Sequence, residues 1–239
     1  MRKFFRNREE LGGLLIQPVL WVALFGIGMG AIVSTVSGSD YMSFLLPGIL
    51  ALTALGGAAG GGMALLDERL RGIMKEYLVA PIPRLSILLG SAASTTTKGL
   101  FQVAIILVLG LLLGAHMTAN PLGWLGLLVL ITLFTIGFSG LALAVAARSR
   151  SIMGYHGMLF LFNLPLLFAS NALYPLKQLP GWINVLAMFN PATYLIDATR
   201  AVAFNGTPTI ALWLSFSVTL LLAVGGMALA LASFRRMMR

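Results

Sequence analysis

Few side chains in the apolar runs of this sequence can do acid–base or ligand chemistry. The two candidates are Lys98, which follows Ser94-Thr-Thr-Thr, and His156, which follows Tyr155. An ionisable residue inside a membrane span marks a functional site by default. A lysine can also lay its apolar stem along the span and reach the interface with its ammonium group. Lys98 is therefore either a polar residue that lines a path or a snorkelling residue, and the sequence leaves both interpretations open.

The motifs of common catalytic sites are missing. The sequence contains no Gly-x-x-x-x-Gly-Lys-Ser/Thr loop to hold ATP phosphates, no His-Glu-x-x-His zinc motif and no Gly-x-Ser-x-Gly nucleophile. Its two histidines and seven acidic residues form no paired cluster within an apolar run. We therefore predict that the chain is not an enzyme by itself and that it binds no metal or cofactor directly. A carrier or membrane enzyme built on Lys98 and His156 is a rival interpretation.

The composition is that of a membrane protein. Of the 239 residues, 59% are hydrophobic and 10% are charged, and the mean hydropathy is +0.95. A soluble domain of this length does not normally show such values. The chain has no cysteine, so a disulfide framework and thiolate metal ligation are excluded.

The net charge of +9 invites a nucleic-acid interpretation, but the positions of the basic residues indicate a membrane. All sixteen except Lys98, Lys177 and Arg200 lie in clusters at the ends of apolar runs. The clusters are Arg2, Lys3, Arg6 and Arg8; Arg69, Arg71, Lys75 and Arg84; Arg148 and Arg150; and Arg235, Arg236 and Arg239. Basic residues accumulate on the cytoplasmic side of membrane proteins. We predict a multi-pass protein of the plasma membrane with both termini in the cytoplasm and no nucleic-acid partner.

Six apolar runs, uncharged except for Lys98 in the third, are long enough for a tilted membrane-spanning helix. The predicted spans are residues 12–36, 42–66, 86–115, 122–147, 151–172 and 210–232. Residues 1–10 are basic, and we interpret them as an interfacial helix that contacts either a partner or anionic lipid. The predicted fold class is an all-α polytopic membrane protein, with residues 1–239 forming a single transmembrane domain.

The second span contains the run Gly56-Gly-Ala-Ala-Gly-Gly-Gly62. Glycine removes side-chain bulk, which lets helix backbones approach closely. It also lets a helix line a cavity. The run therefore predicts either close packing or the wall of a translocation path.

One long charged segment, residues 67–85, separates the second and third spans. From Asp67 to Ala80 its apolar residues recur at helical spacing, and Pro81 and Pro83 stop the pattern. A short amphipathic helix between two spans lies either on lipid head groups or in the groove of a partner protein.

Residues 173–200 are the most irregular part of the apolar sequence. Prolines and asparagines interrupt any continuous span, while Trp182, Ile183, Leu186 and Phe189 keep one apolar face. We predict short broken helices that enter the outer membrane surface without crossing it. Such backbone is tolerated only where protein or a water-filled cavity satisfies it.

Two stretches resemble the type 2 ABC exporter permeases, the membrane subunits of drug and polysaccharide exporters. The first is Glu68-x-x-x-Gly72-x-x-x-Glu76-Tyr-Leu-Val-Ala-Pro81-Ile-Pro-Arg84, with Pro83 where relatives more often have Ser or Thr. The second is the succession Tyr-Pro, Leu-Pro-x-Trp, Asn-Pro-x-x-Tyr and Asp-x-x-Arg between residues 174 and 200. The resemblance covers nearly the whole chain, and it implies six transmembrane helices, a cytoplasmic coupling helix and extracellular re-entrant helices between spans 5 and 6.

The resemblance also implies roles for individual residues. Those implied in coupling to an ATPase are Glu68, Arg71, Gly72, Lys75, Glu76, Tyr77, Leu78 and Pro81. Those implied in an outer gate are Tyr174, Pro175, Pro180, Trp182, Asn190, Pro191, Tyr194, Asp197 and Arg200. From their spacing alone, Asp197 and Arg200 are three residues apart and could pair on one helical face.

The implied function is ATP-driven export of an amphipathic or lipid-like substrate, drug-like before other kinds, from the cytoplasm or the inner leaflet. The implied partners are two ATP-binding subunits that hold ATP and Mg, a second permease in a homodimer or heterodimer, and membrane lipid. A polysaccharide or glycolipid exporter is an alternative within the family. An ATP-independent carrier or enzyme and a purely structural partner are alternatives from other classes.

Overall fold

Long uncharged runs form α-helices in this protein, because a helix satisfies its own backbone hydrogen bonds where water is absent. The computed structural model describes residues 16–29, 41–73, 84–176 and 180–237, and all regular structure within these ranges is helical. The helices are α1 (Ile16–Gly28), α2 (Tyr41–Leu70), α3 (Arg84–Leu112), α4 (Pro121–Arg148), α5 (Ile152–Phe168), α6 (Gly181–Phe189), α7 (Pro191–Ala203) and α8 (Leu212–Met237). Most of α1 belongs to a π-helix over Val22–Met29.

Four of the described helices, α2, α3, α4 and α8, are long and apolar enough to cross a membrane. The other two apolar helices, α1 and α5, are shorter. The 17 residues of α5 reach about 25 Å, less than the roughly 30 Å hydrocarbon core. The all-helical class is confirmed for the described residues, and four of the six predicted spans have full-length helices. The predicted interfacial helix of residues 1–10 lies outside the described part.

The centre of the bundle is α4, which packs against α2, α3, α7 and α8. Its contact with α8 depends on glycine. A Cβ added at Gly140 would lie 2.6 Å from the backbone nitrogen of Met227, and one at Gly137 would lie 2.8 Å from the carbonyl of Leu222. A Cβ at Gly226 would overlap the Gly137 carbonyl. The two helix backbones are therefore in direct contact, as small residues allow in membrane proteins.

The glycine run of α2 divides between two environments. Gly57, Gly61 and Gly62 face neighbouring helices, where an added Cβ would meet Gly99, Thr95 and the Tyr155 hydroxyl, respectively. Gly56 and Gly60 have open space around the same position and are exposed. Close packing, one of the two predicted roles, therefore explains only part of the run.

The bundle has one strongly basic end. There α2 ends beside Arg69, α3 begins at Arg84, and α4 ends at Arg148. Ser233, near the end of α8, lines one groove together with Arg148. We call this the basic end. The opposite end carries residues 113–120 and the short helices α6 and α7.

Candidate functional site

At the basic end, α2 extends further than the sequence predicts. Residues 67–70 continue the helix of the second span and do not begin a separate coupling helix. The helix ends at Leu70, and Gly72 two residues later has a φ of +81°, a conformation that favours glycine. The expected helix start at Asp67 is therefore wrong, because the charged residues simply prolong the span into the polar region. The predicted coupling residues Lys75, Glu76, Tyr77, Leu78 and Pro81 lie outside the described residues.

Among the described residues of this charged segment, Arg69 contacts the end of another helix. Its Nη1 donates to the carbonyl oxygens of Ala147 at 2.9 Å, Ser149 at 3.2 Å and Ala146 at 3.5 Å. These carbonyls lie at the carboxyl end of α4, where unpaired oxygens and the helix dipole attract a cation. Arg69 therefore fastens the end of α2 to the end of α4, and it was not among the predicted site residues.

The other described residues of the segment differ in their surroundings. Arg71 donates from Nε to Asp67 Oδ1 at 2.9 Å in a largely exposed pair. Exposed pairs of this kind contribute little to stability. Glu68 lies beside a groove between α2 and α3. Of the predicted coupling residues, the structure thus places Glu68, Arg71 and Gly72 at the end of α2.

The start of α5 is tied to the middle of α2. Ser151 caps the helix by accepting the N–H of Gly154 at 3.1 Å. One turn later the fully buried Tyr155 donates its hydroxyl to the carbonyl of Ala59 at 2.6 Å. Gly62 leaves the space that this hydroxyl occupies. Because Arg69 holds residues 146–149, the segment that leads into α5 is attached to α2 at two points.

At the opposite end, Asn190 joins three helices. Its Oδ1 accepts the N–H of Ala192 and caps α7, and the Asn190–Pro191 pair breaks the chain between α6 and α7. Its Nδ2 donates to the carbonyls of Ala169 at 2.7 Å, Leu166 at 3.0 Å and Pro165 at 3.5 Å. These oxygens lie at the end of α5, so that one side chain satisfies both helix ends.

Asp197 and Arg200 do not form the pair that their spacing allows. Asp197 is buried, and its Oδ2 accepts the N–H groups of Thr209 and Ile210, each at 2.9 Å, just before α8. Arg200 donates from Nη2 to the carbonyls of Asn171 at 2.9 Å and Phe44 at 3.1 Å. Backbone groups outcompete the neighbouring side chain because they are buried and would otherwise remain unpaired.

Arg200 also stacks on an aromatic ring. Its Cζ lies 3.9 Å from the ring centroid of Phe44, a cation–π contact. Burial lowers the pKa of the Arg200 guanidinium to about 10, against the opposing effect of the Asp197 carboxylate. The guanidinium group therefore remains charged at neutral pH. It contacts the start of α2 through the carbonyl and the ring of Phe44.

The remaining predicted gate residues surround these contacts. Tyr194 donates its hydroxyl hydrogen to the carbonyl of Met188 at 2.7 Å, which pairs a carbonyl in the last turn of α6. Trp182 is 69% exposed and Tyr174 is 39% exposed, and Pro175 and Pro180 are exposed as well. The predicted gate residues therefore fall into two groups. Asn190, Asp197 and Arg200 make largely buried contacts around α7. The exposed group is Tyr174, Pro175, Pro180 and Trp182.

An apolar groove of about 660 Å³ runs between these two ends. Its walls come from α2, α4, α5 and α8, and its lining is almost entirely apolar. Arg148 and Ser233 lie at the basic end, Asn163 lies on the α5 wall, and Leu186 and Phe189 of α6 close the opposite end. Ligand sites have this size and are mostly apolar with a few polar groups. The groove can therefore hold the apolar part of a molecule.

A smaller groove of about 440 Å³ lies between α2 and α3. Lys98 lines this groove and not the apolar one. Its other polar lining residues are Glu68, Ser86, Ser91, Ser94 and Thr95. Among the described residues no group of His, Asp and Glu could hold a metal ion.

We expect that Asn190→Asp destabilises the protein more than its small change in shape suggests. Aspartate keeps the acceptor for Ala192 but places a second oxygen against three carbonyl oxygens. Leaving such buried groups without a donor costs about 2 to 4 kcal/mol. Thermal unfolding in detergent measures the loss, and part of the stability should return at low pH, where the new carboxyl group gains a proton.

Asn205→Asp, in an exposed turn at φ 53°, is the control. Equal stability of Asn190→Asp and wild type would contradict the assigned bonds.

The sequence of this chain is similar to one protein-family model and to several known proteins. The sequence model described as ABC-2 type transporter matches residues 1–204. A transport permease named ycf38 from Porphyra purpurea is 34% identical over 205 residues, which is 84% of this chain and 70% of that protein. Nodulation protein J from Rhizobium leguminosarum bv. trifolii is 29% identical over 206 residues, 84% of this chain and 76% of that protein. The daunorubicin resistance ABC transporter permease protein DrrB1 from Streptomyces coeruleorubidus is 25% identical over 209 residues, 87% of this chain and 72% of that protein.

Proposed function

Since this chain belongs to the ABC-2 type transporter family, we propose that it is the membrane permease of an ATP-driven exporter. Its substrate is an amphipathic or lipid-like molecule, drug-like before other kinds, which leaves the cytoplasm or the inner leaflet. The apolar groove between α2, α4, α5 and α8 carries this proposal. The name of one similar permease refers to daunorubicin resistance, which supports a drug-like substrate.

The groove suits an amphipathic molecule because its polar groups are few and separate. Arg148 and Ser233 lie at the basic end, and Asn163 is a polar group on the α5 wall. Burying the apolar part of a molecule there contributes about 25 cal/mol per Å² removed from water. We expect a substrate that partitions first into the bilayer to enter beside α5, where the groove residues Met158 and Phe162 are more than half exposed. The helix α6 then blocks its exit at the opposite end.

The energy for export comes from a separate subunit in this proposal. The chain has no phosphate-binding loop, so two ATP-binding subunits hold ATP and Mg and act on residues 67–85. The basic end faces the cytoplasm of a cell whose plasma membrane holds the protein. α1 and α5 serve as the first and fifth of six spans, and the helices α6 and α7 form the re-entrant gate.

A second permease copy completes the proposed transporter. Within the described residues of α5, only Tyr155 and Leu167 are buried, whereas Met153, Leu161 and Phe160 are more than half exposed. This apolar surface is available for the pairing that the family resemblance implies for the first, second and fifth spans. ATP-driven closure would then tilt the two permeases against each other, since coupling needs different contacts in two states.

Filling the groove tests the proposed function. We expect that Ala144→Phe, on the α4 wall, abolishes most of the ATPase stimulation by amphipathic compounds. The measurement uses the permease co-expressed with its ATP-binding subunit in lipid nanodiscs. Ala228→Phe is the matched control, because Ala228 is exposed and does not line the groove.

Two results would count against the proposal. One is a failure of any ATP-binding subunit to co-purify with the wild-type chain. The other is equal stimulation of wild type and Ala144→Phe while both complexes stay assembled. The first result would exclude the ATP-driven exporter, and the second would exclude the groove as its substrate site.

A further inference from the structure

Asn163 is a polar side chain in the middle of an otherwise apolar wall. It lies on α5 four residues after Leu159 and three before Leu166, and all three line the apolar groove. The side chain is half-buried, and it makes no hydrogen bond to any residue that the structure describes. Asparagine in an apolar helix normally bonds to a neighbouring helix. The amide of Asn163 is therefore available to a molecule in the groove.

The other asparagine of the groove shows the contrast. Asn190 uses its Oδ1 to cap α7 and its Nδ2 to pair carbonyls at the end of α5. Both polar atoms of that side chain serve the fold. Asn163 keeps one acceptor oxygen and two donor hydrogens.

Asn163 lies well inside the groove and away from its polar end. Arg148 and Ser233 line the basic end, and α5 begins beside them at Ile152. Asn163 comes eleven residues after Ile152, which is about 16 Å at the rise of an α-helix. Phe189 lines the opposite end. A molecule whose head group lies near Arg148 therefore meets Asn163 part-way along its apolar body.

We propose that Asn163 is a specificity-determining residue, through which the groove selects amphipathic molecules that carry a hydroxyl or carbonyl group part-way along the apolar body. This inference rests on the proposed function, because it names the substrate class of the same groove. The amide can donate to a carbonyl, and it can donate to or accept from a hydroxyl. A wholly apolar body displaces water from the amide and offers no bond in return, which costs binding energy. A few polar groups that fix the orientation of a ligand are typical of apolar binding sites.

Oleate and ricinoleate test this selection, because ricinoleate is oleate with one added hydroxyl in the middle of the chain. The rise of the melting temperature with fatty-acid concentration measures binding to the purified chain in detergent, without an ATP-binding subunit. We expect ricinoleate to bind wild type roughly three- to tenfold more tightly than oleate. An isomer with its hydroxyl beside the carboxylate should bind like oleate, because that hydroxyl stays at the basic end.

Two substitutions of Asn163 provide the controls. Asn163→Leu keeps a similar volume without the amide, and it should bind the two fatty acids equally. Asn163→Gln keeps the amide and should retain part of the preference. Without a fatty acid, Asn163→Leu should melt no lower than wild type, because it breaks no bond to a described residue. Equal binding of both fatty acids by wild type, a preference that persists in Asn163→Leu, or a lower melting temperature of that variant would overturn the proposal.

ATPase stimulation of the assembled transporter separates this inference from the exporter proposal. If oleate and ricinoleate stimulate hydrolysis equally and Ala144→Phe abolishes both effects, the exporter proposal holds and the selection by Asn163 fails. If neither fatty acid nor any other amphipathic compound stimulates hydrolysis, but the purified chain prefers ricinoleate through Asn163, the groove keeps its ligand class and the exporter proposal fails.

Discussion

Gly226→Ala is expected to lower the melting temperature of the protein by roughly 6 to 12 °C. A single methyl group at Gly226 would overlap the backbone carbonyl of Gly137 on α4. Neither backbone can give way cheaply, because Gly140 meets the backbone of residues 226 and 227 one turn along the same contact. Overpacking of this kind costs about 3 kcal/mol, which corresponds to that shift in a protein of this size.

Gly225→Ala is the matched control for Gly226→Ala. Gly225 has open space where the Cβ would lie, and alanine is a better helix former than glycine by about 1 kcal/mol. The two neighbouring substitutions therefore have opposite expected signs. Thermal unfolding followed by size-exclusion chromatography in detergent measures both. If the two variants melt at the same temperature, the direct contact between α4 and α8 is refuted.

The sequence predicts the class of this fold well because each membrane helix corresponds to a long apolar run. Charge-free runs and basic clusters identify the helical membrane segments without any knowledge of their packing. It predicts less well where a helix ends. Asp67 looks like the start of a new amphipathic helix because charge begins there, but the backbone continues in the same helix to Leu70. A change in polarity marks the end of an apolar environment and does not by itself end a helix.

The motif between residues 174 and 200 illustrates a second limit. The sequence identifies Asn190, Asp197 and Arg200 as candidates, but their partners are backbone groups of residues 165–169, 209–210, 44 and 171. Backbone carbonyls and N–H groups are present at nearly every position, so they leave no pattern in the sequence. Side-chain spacing suggested the wrong pair for this reason.

The same reasoning explains why Arg69 was missed. It stands among other charged residues, and nothing in the sequence distinguishes it from Arg71 two positions later. Only the structure shows that Arg69 meets the carboxyl end of α4 whereas Arg71 remains exposed. Residues 146–149, which receive Arg69, lead directly into α5. Arg69 and Tyr155 are therefore the two described side chains that attach the segment around the α4–α5 junction to α2.

We expect Arg69→Gln to separate ATP hydrolysis from its stimulation by substrate. Glutamine can donate to one carbonyl but lacks the charge that the end of α4 attracts. The loss of stability is about 1 to 2 kcal/mol, since the side chain is only half-buried. If Arg69 transmits movement in the proposed exporter, stimulation by amphipathic compounds falls several-fold while the basal ATPase activity and the assembly with the ATP-binding subunit persist.

Hydrogen exchange distinguishes this mechanical role from general destabilisation. In Arg69→Gln the amides of residues 147–155 should exchange faster, because the α4–α5 junction has lost its Arg69 attachment to α2. The backbone amides of Gly140 and Gly226, where α4 meets α8, should stay protected from exchange. Arg71→Gln, which removes only an exposed pair with Asp67, should leave the exchange of residues 147–155 and the melting temperature unchanged. Faster exchange throughout the bundle in Arg69→Gln, or unchanged exchange at the junction, would show that the contact stabilises the fold without linking the end of α2 to the α4–α5 junction. An effect confined to residues 147–155 would instead make Arg69 the link through which movement of the residues after Leu70 reaches α5.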